Sequence, residues 1–121
     1  MCTHLLQAYL FGGCGGSDLE TVTCLNDVYV FDFRTHAWDR VNPSDEQSPL
    51  PRASFGMCAG PEKTLVVAGG TGVEMDSLRA DVMEFNPRTR KWRQMLTNSE
   101  ATPCKLYGQS VCTYGELQCL P

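Results

Sequence analysis

The chain carries one pattern twice. Leu65-Val66-Val67-Ala68 runs into Gly69-Gly70, a polar loop follows, Ala80-Asp81-Val82-Met83-Glu84-Phe85 reads as a strand opening on Asp, and Trp92 closes the unit. Upstream, Tyr9-Leu10-Phe11-Gly12-Gly13, then Asn26-Asp27-Val28-Tyr29-Val30-Phe31, then Trp38 repeat that order. Asp27 to Trp38 and Asp81 to Trp92 are both steps of eleven residues, and the tryptophans lie 54 apart. Self-similarity at a period of tens of residues belongs to solenoids, propellers and arrays, where each unit buries its apolar face only against a neighbour. The 121 residues hold barely two such units, whereas repeat folds ordinarily need about three.

Each unit reads as short strands. Residues 8–13 form an apolar run whose double glycine lets the chain turn out with positive φ. Residues 27–32 are apolar in both alternating sets, Val28 with Val30 and Tyr29 with Phe31, the pattern of a strand covered on both faces. Arg34 to Ala37 supply a turn, Trp38 opens a strand to about Val41, and Pro43 to Pro49 form a solvated connection. A strand over 52–59 then turns at Gly60-Pro61-Glu62-Lys63 into 64–68. The second copy continues through the loop 71–79, the strand 81–86, the turn 87–90 and the Trp92 strand. Pro103 to Cys112 echo Pro51 to Ala59, with Gly108 standing 52 residues after Gly56. No window has the 3.6-residue period of an amphipathic helix, so none is expected.

Glycine-ended strands, an Asn-Asp-Val or Ala-Asp-Val strand, a Trp at fixed spacing and a Pro-Arg strand start, recurring in order, resemble the kelch repeat over about residues 8–114. The resemblance implies an all-β fold, a fragment of a kelch-type β-propeller built from four-stranded antiparallel blades. On that pattern residues 1–45 supply strands B to D of a partial blade, 46–98 a complete blade, and 99–121 strand A of a third followed by a tail. Gly12, Gly13, Asp27 and Trp38, with Gly69, Gly70, Asp81 and Trp92, are then structural: the aspartates accept nearby N–H groups and the tryptophans pack between blades. Two departures stand out, Phe55 where the family places His and Cys104 where it places Arg. Propellers close with typically 4–8 blades, so these residues are expected to be part of a longer ring, and on their own would expose blade faces and strand edges.

Charge and motifs narrow the function. A net charge of −4 and a pI near 5.0 give no basic field for nucleic acid, and no apolar run reaches the roughly 20 residues of a membrane span. The seven cysteines include no C-x-x-C pair, which points to reduced thiols in a cytoplasmic or nuclear protein rather than a disulfide framework or zinc site. Gly12 to Gly16 are glycine-rich, but no Gly-Lys-Ser/Thr and no helix follow, so no phosphate cradle is expected. His4, His36 and the cysteines have no positioned partner in the sequence. No catalytic, cofactor or metal residue is assigned, and the chain is read as non-catalytic.

The kelch resemblance implies that the B–C and D–A loops gather on one end of the blades and the A–B and C–D loops on the other. The first end then collects Ser17, Asp18, Glu20, Asp45, Glu46, Glu74, Asp76 and Glu100, with Arg52, Arg79 and Lys105. The other collects Arg34, His36, Arg88, Arg90 and Lys91, with Glu62, Lys63 and Glu116. Rim charges of one sign steer association. Ser17, Asp18, Glu20, Asp45, Glu46, Arg52, Glu74, Asp76 and Arg79 are therefore the candidate partner-binding residues, facing a protein or peptide that carries basic groups. The first B–C loop is three residues longer than the second, which makes Gly15–Thr23 the loop expected to project. The resemblance implies a partner-binding scaffold, such as a ubiquitin-ligase substrate adaptor or an actin or trafficking organiser. The competing readings are an enzyme on the same fold, a metal oxidase or a specifier protein, and a truncated product without function.

Overall fold

A computed structural model describes residues 2–4, 6–16, 18, 20–43, 48–72 and 81–95. They form two four-stranded antiparallel sheets and a small hairpin. The first sheet has the order β1 (Cys2–His4), β2 (Gln7–Phe11), β5 (Val28–Asp32), β6 (Ala37–Val41). The second contains β7 (Gly56–Ala59), β8 (Leu65–Ala68), β9 (Val82–Asn86) and β10 (Lys91–Gln94), each beside the next in chain order. Between β2 and β5 lies the hairpin of β3 (Cys14–Gly15) and β4 (Thr23–Cys24).

The first sheet corrects the expectation of three strands. Cys2 pairs with Tyr9 and His4 with Gln7, so β1 supplies a strand A that three residues are too few to announce by alternation. The second correction concerns residues 52–59, expected as one strand. Only Gly56–Ala59 pair with β8, and Arg52 to Phe55 form a separate strap. The third blade, residues 99–121, lies outside the described residues.

The pleat decides what each sheet buries. Tyr9, Phe11 and Val28 from the first sheet meet Leu65, Val67, Met83, Phe85 and Trp92 from the second in one apolar cluster. Phe11 is its hinge: its ring lies 5.1 Å from Trp92 and 5.2 Å from Phe55, and Trp92 lies 5.0 Å from Phe85. Trp92 therefore packs between the blades, as its place in the repeat predicts. Trp38 does not, among the described residues. It lies 5.1 Å from Phe31 on the other face of the first sheet and is 48% exposed, against 2% for Trp92. Of the strand expected to be covered on both faces, Val28 alone is fully buried; Val30 packs against the core half-buried, and Tyr29 and Phe31 on the other face are half-buried too.

The repeat extends to turn chemistry. Asp32 and Asn86 end equivalent strands, and each side-chain oxygen accepts two backbone N–H groups: Arg34 and Thr35 at 2.7 and 3.3 Å, Arg88 and Thr89 at 2.9 and 3.3 Å. His36 and Arg90 then both take φ +59, and their N–H groups donate back to Asp32 and Asn86 carbonyls at 2.8 and 2.7 Å. A short side-chain acceptor that mimics a backbone turn explains why Asp or Asn ends this strand.

Candidate functional site

The B–C and D–A connections do meet at one end. The strap Arg52–Phe55 is wedged between the corners where β2 and β8 stop. The Gly13 N–H donates to the Arg52 carbonyl at 2.9 Å, the Arg52 N–H to the Leu25 carbonyl at 3.1 Å, and Ala53 and Thr71 exchange bonds of 2.8 and 2.9 Å. Asn26 Nδ2 donates to the Pro49 carbonyl at 3.1 Å. This approach is what the double glycines permit. A Cβ on Gly12 would sit 2.8 Å from the Arg52 carbonyl oxygen, and one on Gly70 2.8 Å from that of Ala53. Both glycines also hold positive φ, +63 and +96, which other residues adopt at a cost.

Arg52 was expected on this surface facing a partner, and the structure corrects that. Its side chain is 0% exposed. Nη1 and Nη2 donate to the two carboxylate oxygens of Asp81 at 2.6 and 2.9 Å. Nη1 also donates to the Gly69 carbonyl at 3.0 Å and Nε to the Leu50 carbonyl at 3.1 Å. A planar guanidinium with donors along its edges can bridge a carboxylate and two carbonyls together. Arg52 thus ties the strap to the first residue before β9, and its charge is spent inside the fold.

Asp27 shows how far the copies agree. The Gly12 N–H donates to the Asp27 carbonyl at 3.1 Å, as the Gly69 N–H does to that of Asp81. Yet among the described residues no Lys or Arg pairs with Asp27.

Among the described residues, the charged side chains exposed at this end are acidic. Asp18 and Glu20 are exposed. Asp18 Oδ1 accepts the N–H groups of Glu20 and Thr21, both at 2.9 Å, and the Thr21 hydroxyl at 3.1 Å. These bonds, the Thr21 backbone N–H first, hold the Asp18 carboxyl below the ordinary aspartate range, because they favour the ionised form. Ser17, Asp45, Glu46, Glu74, Asp76, Arg79, Glu100 and Lys105 lie outside the described residues.

The opposite end is built by turns. The Phe33 N–H donates to the Leu6 carbonyl at 2.9 Å, joining the C–D and A–B turns of the first sheet. A cavity of about 620 Å³ between the sheets is lined by Gln7, Tyr9, Glu62, Lys63, Asn86 and Arg88. Burial pushes the Tyr9 hydroxyl above the ordinary tyrosine range, since desolvation penalises the phenolate. Among the described residues no three His, Cys, Asp or Glu side chains converge as a metal site, and no helix is long and apolar enough to cross a membrane.

Four-stranded antiparallel sheets packed face to face and joined by a strap between their B–C corners define a propeller-blade repeat protein. The family model described as the KLHDC2/KLHL20/DRC7 Kelch-repeats domain matches residues 1–120, and the chain belongs to the kelch-repeat family. Membership carries a general role as a protein-interaction module.

Proposed function

We propose that the B–C/D–A end is the partner-binding end and that it receives a protein segment carrying Lys or Arg. The carrying observation is the division of charge there: Arg52 is buried on Asp81 while Asp18 and Glu20 are exposed. With its arginine neutralised internally, this end presents a more acidic field than the sequence count suggests. Complementary rim charge accelerates encounter and excludes like-charged competitors. In such a role the module holds a partner or substrate for a larger assembly, as a ubiquitin-ligase adaptor or an actin or trafficking organiser does. We place it in the cytoplasm or nucleus, in keeping with seven cysteines that include no C-x-x-C pair and with an exposed thiol at Cys14.

The test uses the whole chain and two fluorescein-labelled peptides, one alternating Lys and Ser and one alternating Glu and Ser, read by anisotropy at low and high salt. The Lys peptide is expected to bind more tightly, and salt to weaken it. Changing Asp18, Asp45 and Asp76 to Asn and Glu20, Glu46, Glu74 and Glu100 to Gln is expected to abolish the preference. Unchanged preference in that variant, or equal binding of the two peptides, overturns the reading.

A further inference from the structure

Cys14 and Cys24 are directly opposed in the β3–β4 hairpin, and their sulfurs lie 3.6 Å apart. Directly opposed residues of an antiparallel pair have Cα atoms about 4.5–5.5 Å apart, inside the roughly 4.4–6.8 Å that a disulfide spans. Closing the sulfurs to bond length therefore needs side-chain rotation and no rearrangement of strands. The two thiols differ in access. Cys14 is exposed, while Cys24 is buried and its Sγ lies 3.8 Å from the Thr71 carbonyl, the residue that pairs with the strap.

We infer that Cys14 and Cys24 form a reversible regulatory disulfide, with a small disulfide such as oxidised glutathione as the oxidant. Cys14 gives up its proton to solvent, and its thiolate attacks one sulfur of glutathione disulfide, releasing one glutathione and leaving Cys14 in a mixed disulfide. The Cys24 thiolate, its proton also lost, attacks the Cys14 sulfur and expels the second glutathione. Two thiols are oxidised by two electrons, one disulfide is reduced to two glutathiones, and the protons balance. The order follows from access: the exposed thiol meets the oxidant and the buried one resolves the adduct.

The bond pins both ends of the loop that carries Asp18 and Glu20. It also removes the Cys24 S–H from the Thr71 carbonyl, which keeps the Ala53 N–H as a donor. In a reducing compartment such a pair rests as thiols and cycles under oxidation. The inference stands on hairpin geometry and not on the charge of the loop, so it survives or fails independently of the partner reading.

The experiment equilibrates the folded chain with glutathione buffers of rising oxidised fraction, traps free thiols by alkylation and maps them by mass spectrometry. Cleavage after Glu20 separates the two cysteines, and a Cys2→Ser background removes the other thiol on that peptide. A Cys14–Cys24 link is expected to appear before oxidation of Cys58 and to disappear with dithiothreitol. Cys24→Ser should accumulate glutathione on Cys14, because the resolving thiol is gone, and Cys14→Ser should leave Cys24 reduced. Alkylation of Cys14, Cys24 and Cys58 to the same extent across the series overturns the inference, as does a Cys24→Ser chain with no more adduct than its parent.

Discussion

The Arg52–Asp81 pair makes a quantitative demand on stability. Arg52→Met keeps an unbranched apolar stem and removes the guanidinium, leaving Asp81 and the Leu50 and Gly69 carbonyls without its donors. Breaking a buried ion pair by deleting one partner costs about 3–5 kcal/mol. Asp81 is 26% exposed, so water partly rehydrates its carboxylate and places Arg52→Met near the low end, about 3 kcal/mol. Asp81→Asn is worse, about 4 kcal/mol, because the stranded charge is then the fully buried guanidinium. Arg52→Lys falls between these and wild type, since an ammonium cannot make the bidentate contact. For a chain of this size about 3 kcal/mol lowers Tm by roughly 10–20 °C. The assay is urea denaturation followed by tryptophan fluorescence, repeated in high salt, where a buried pair should lose little. Asp27→Asn is the internal control. It occupies the same place in the first copy with no Lys or Arg on it among the described residues, and should cost under about 1 kcal/mol. Arg52→Met within about 0.5 kcal/mol of wild type, or Asp27→Asn as costly as Asp81→Asn, refutes the reasoning.

The two tryptophans should separate in the same way. Trp92→Ala empties the contact with Phe11 and Phe85 and should cost about 3–5 kcal/mol, whereas the half-exposed Trp38→Ala should cost about 1 kcal/mol; equal costs by urea denaturation would sink the assignment of Trp92 as the packing residue between sheets. Trp92→Phe should recover most of the loss, because Trp92 Nε1 is buried with no hydrogen-bond partner among the described residues and its removal strands nothing. The Asp18 turn should loosen in acid. Its folded carboxyl titrates below the ordinary aspartate value, so the order it gives is fully present above that value and is lost as pH falls through the lower, folded one. The Glu20 and Thr21 amide resonances should report that transition, and a midpoint at or above the ordinary value would contradict it.

The sequence made the blade framework legible because its signals are local and recur. Gly-Gly, Asp and Trp at matched spacing located β2, β5 and β6 and their second copies, and each marks a backbone event the structure contains. Three things were not legible. β1 is too short to carry an alternation signal, and it shows itself only through its pairing with β2. The Asp32 and Asn86 turns differ in residue type, so the eye passes over an equivalence that rests on one shared side-chain oxygen. Arg52, in a Pro-rich connection, reads as a solvated loop charge because nothing local announces its burial, and its partner lies 29 residues away.

The burial of Arg52 has a physical consequence for the site. Position 52 does not add a positive charge to the loop end; it subtracts one from solvent and takes Asp81 with it. The strap is also where the two copies are joined, since Gly13 and Leu25 of the first and Thr71 of the second all bond to Arg52 or Ala53. The residues that fix the angle between blades and those that leave the rim acidic are therefore partly the same. A change at Arg52 or Asp81 should alter partner binding through blade geometry as well as charge, while changes at Asp18 or Glu20, exposed on the B–C loop, act on charge and on that loop alone.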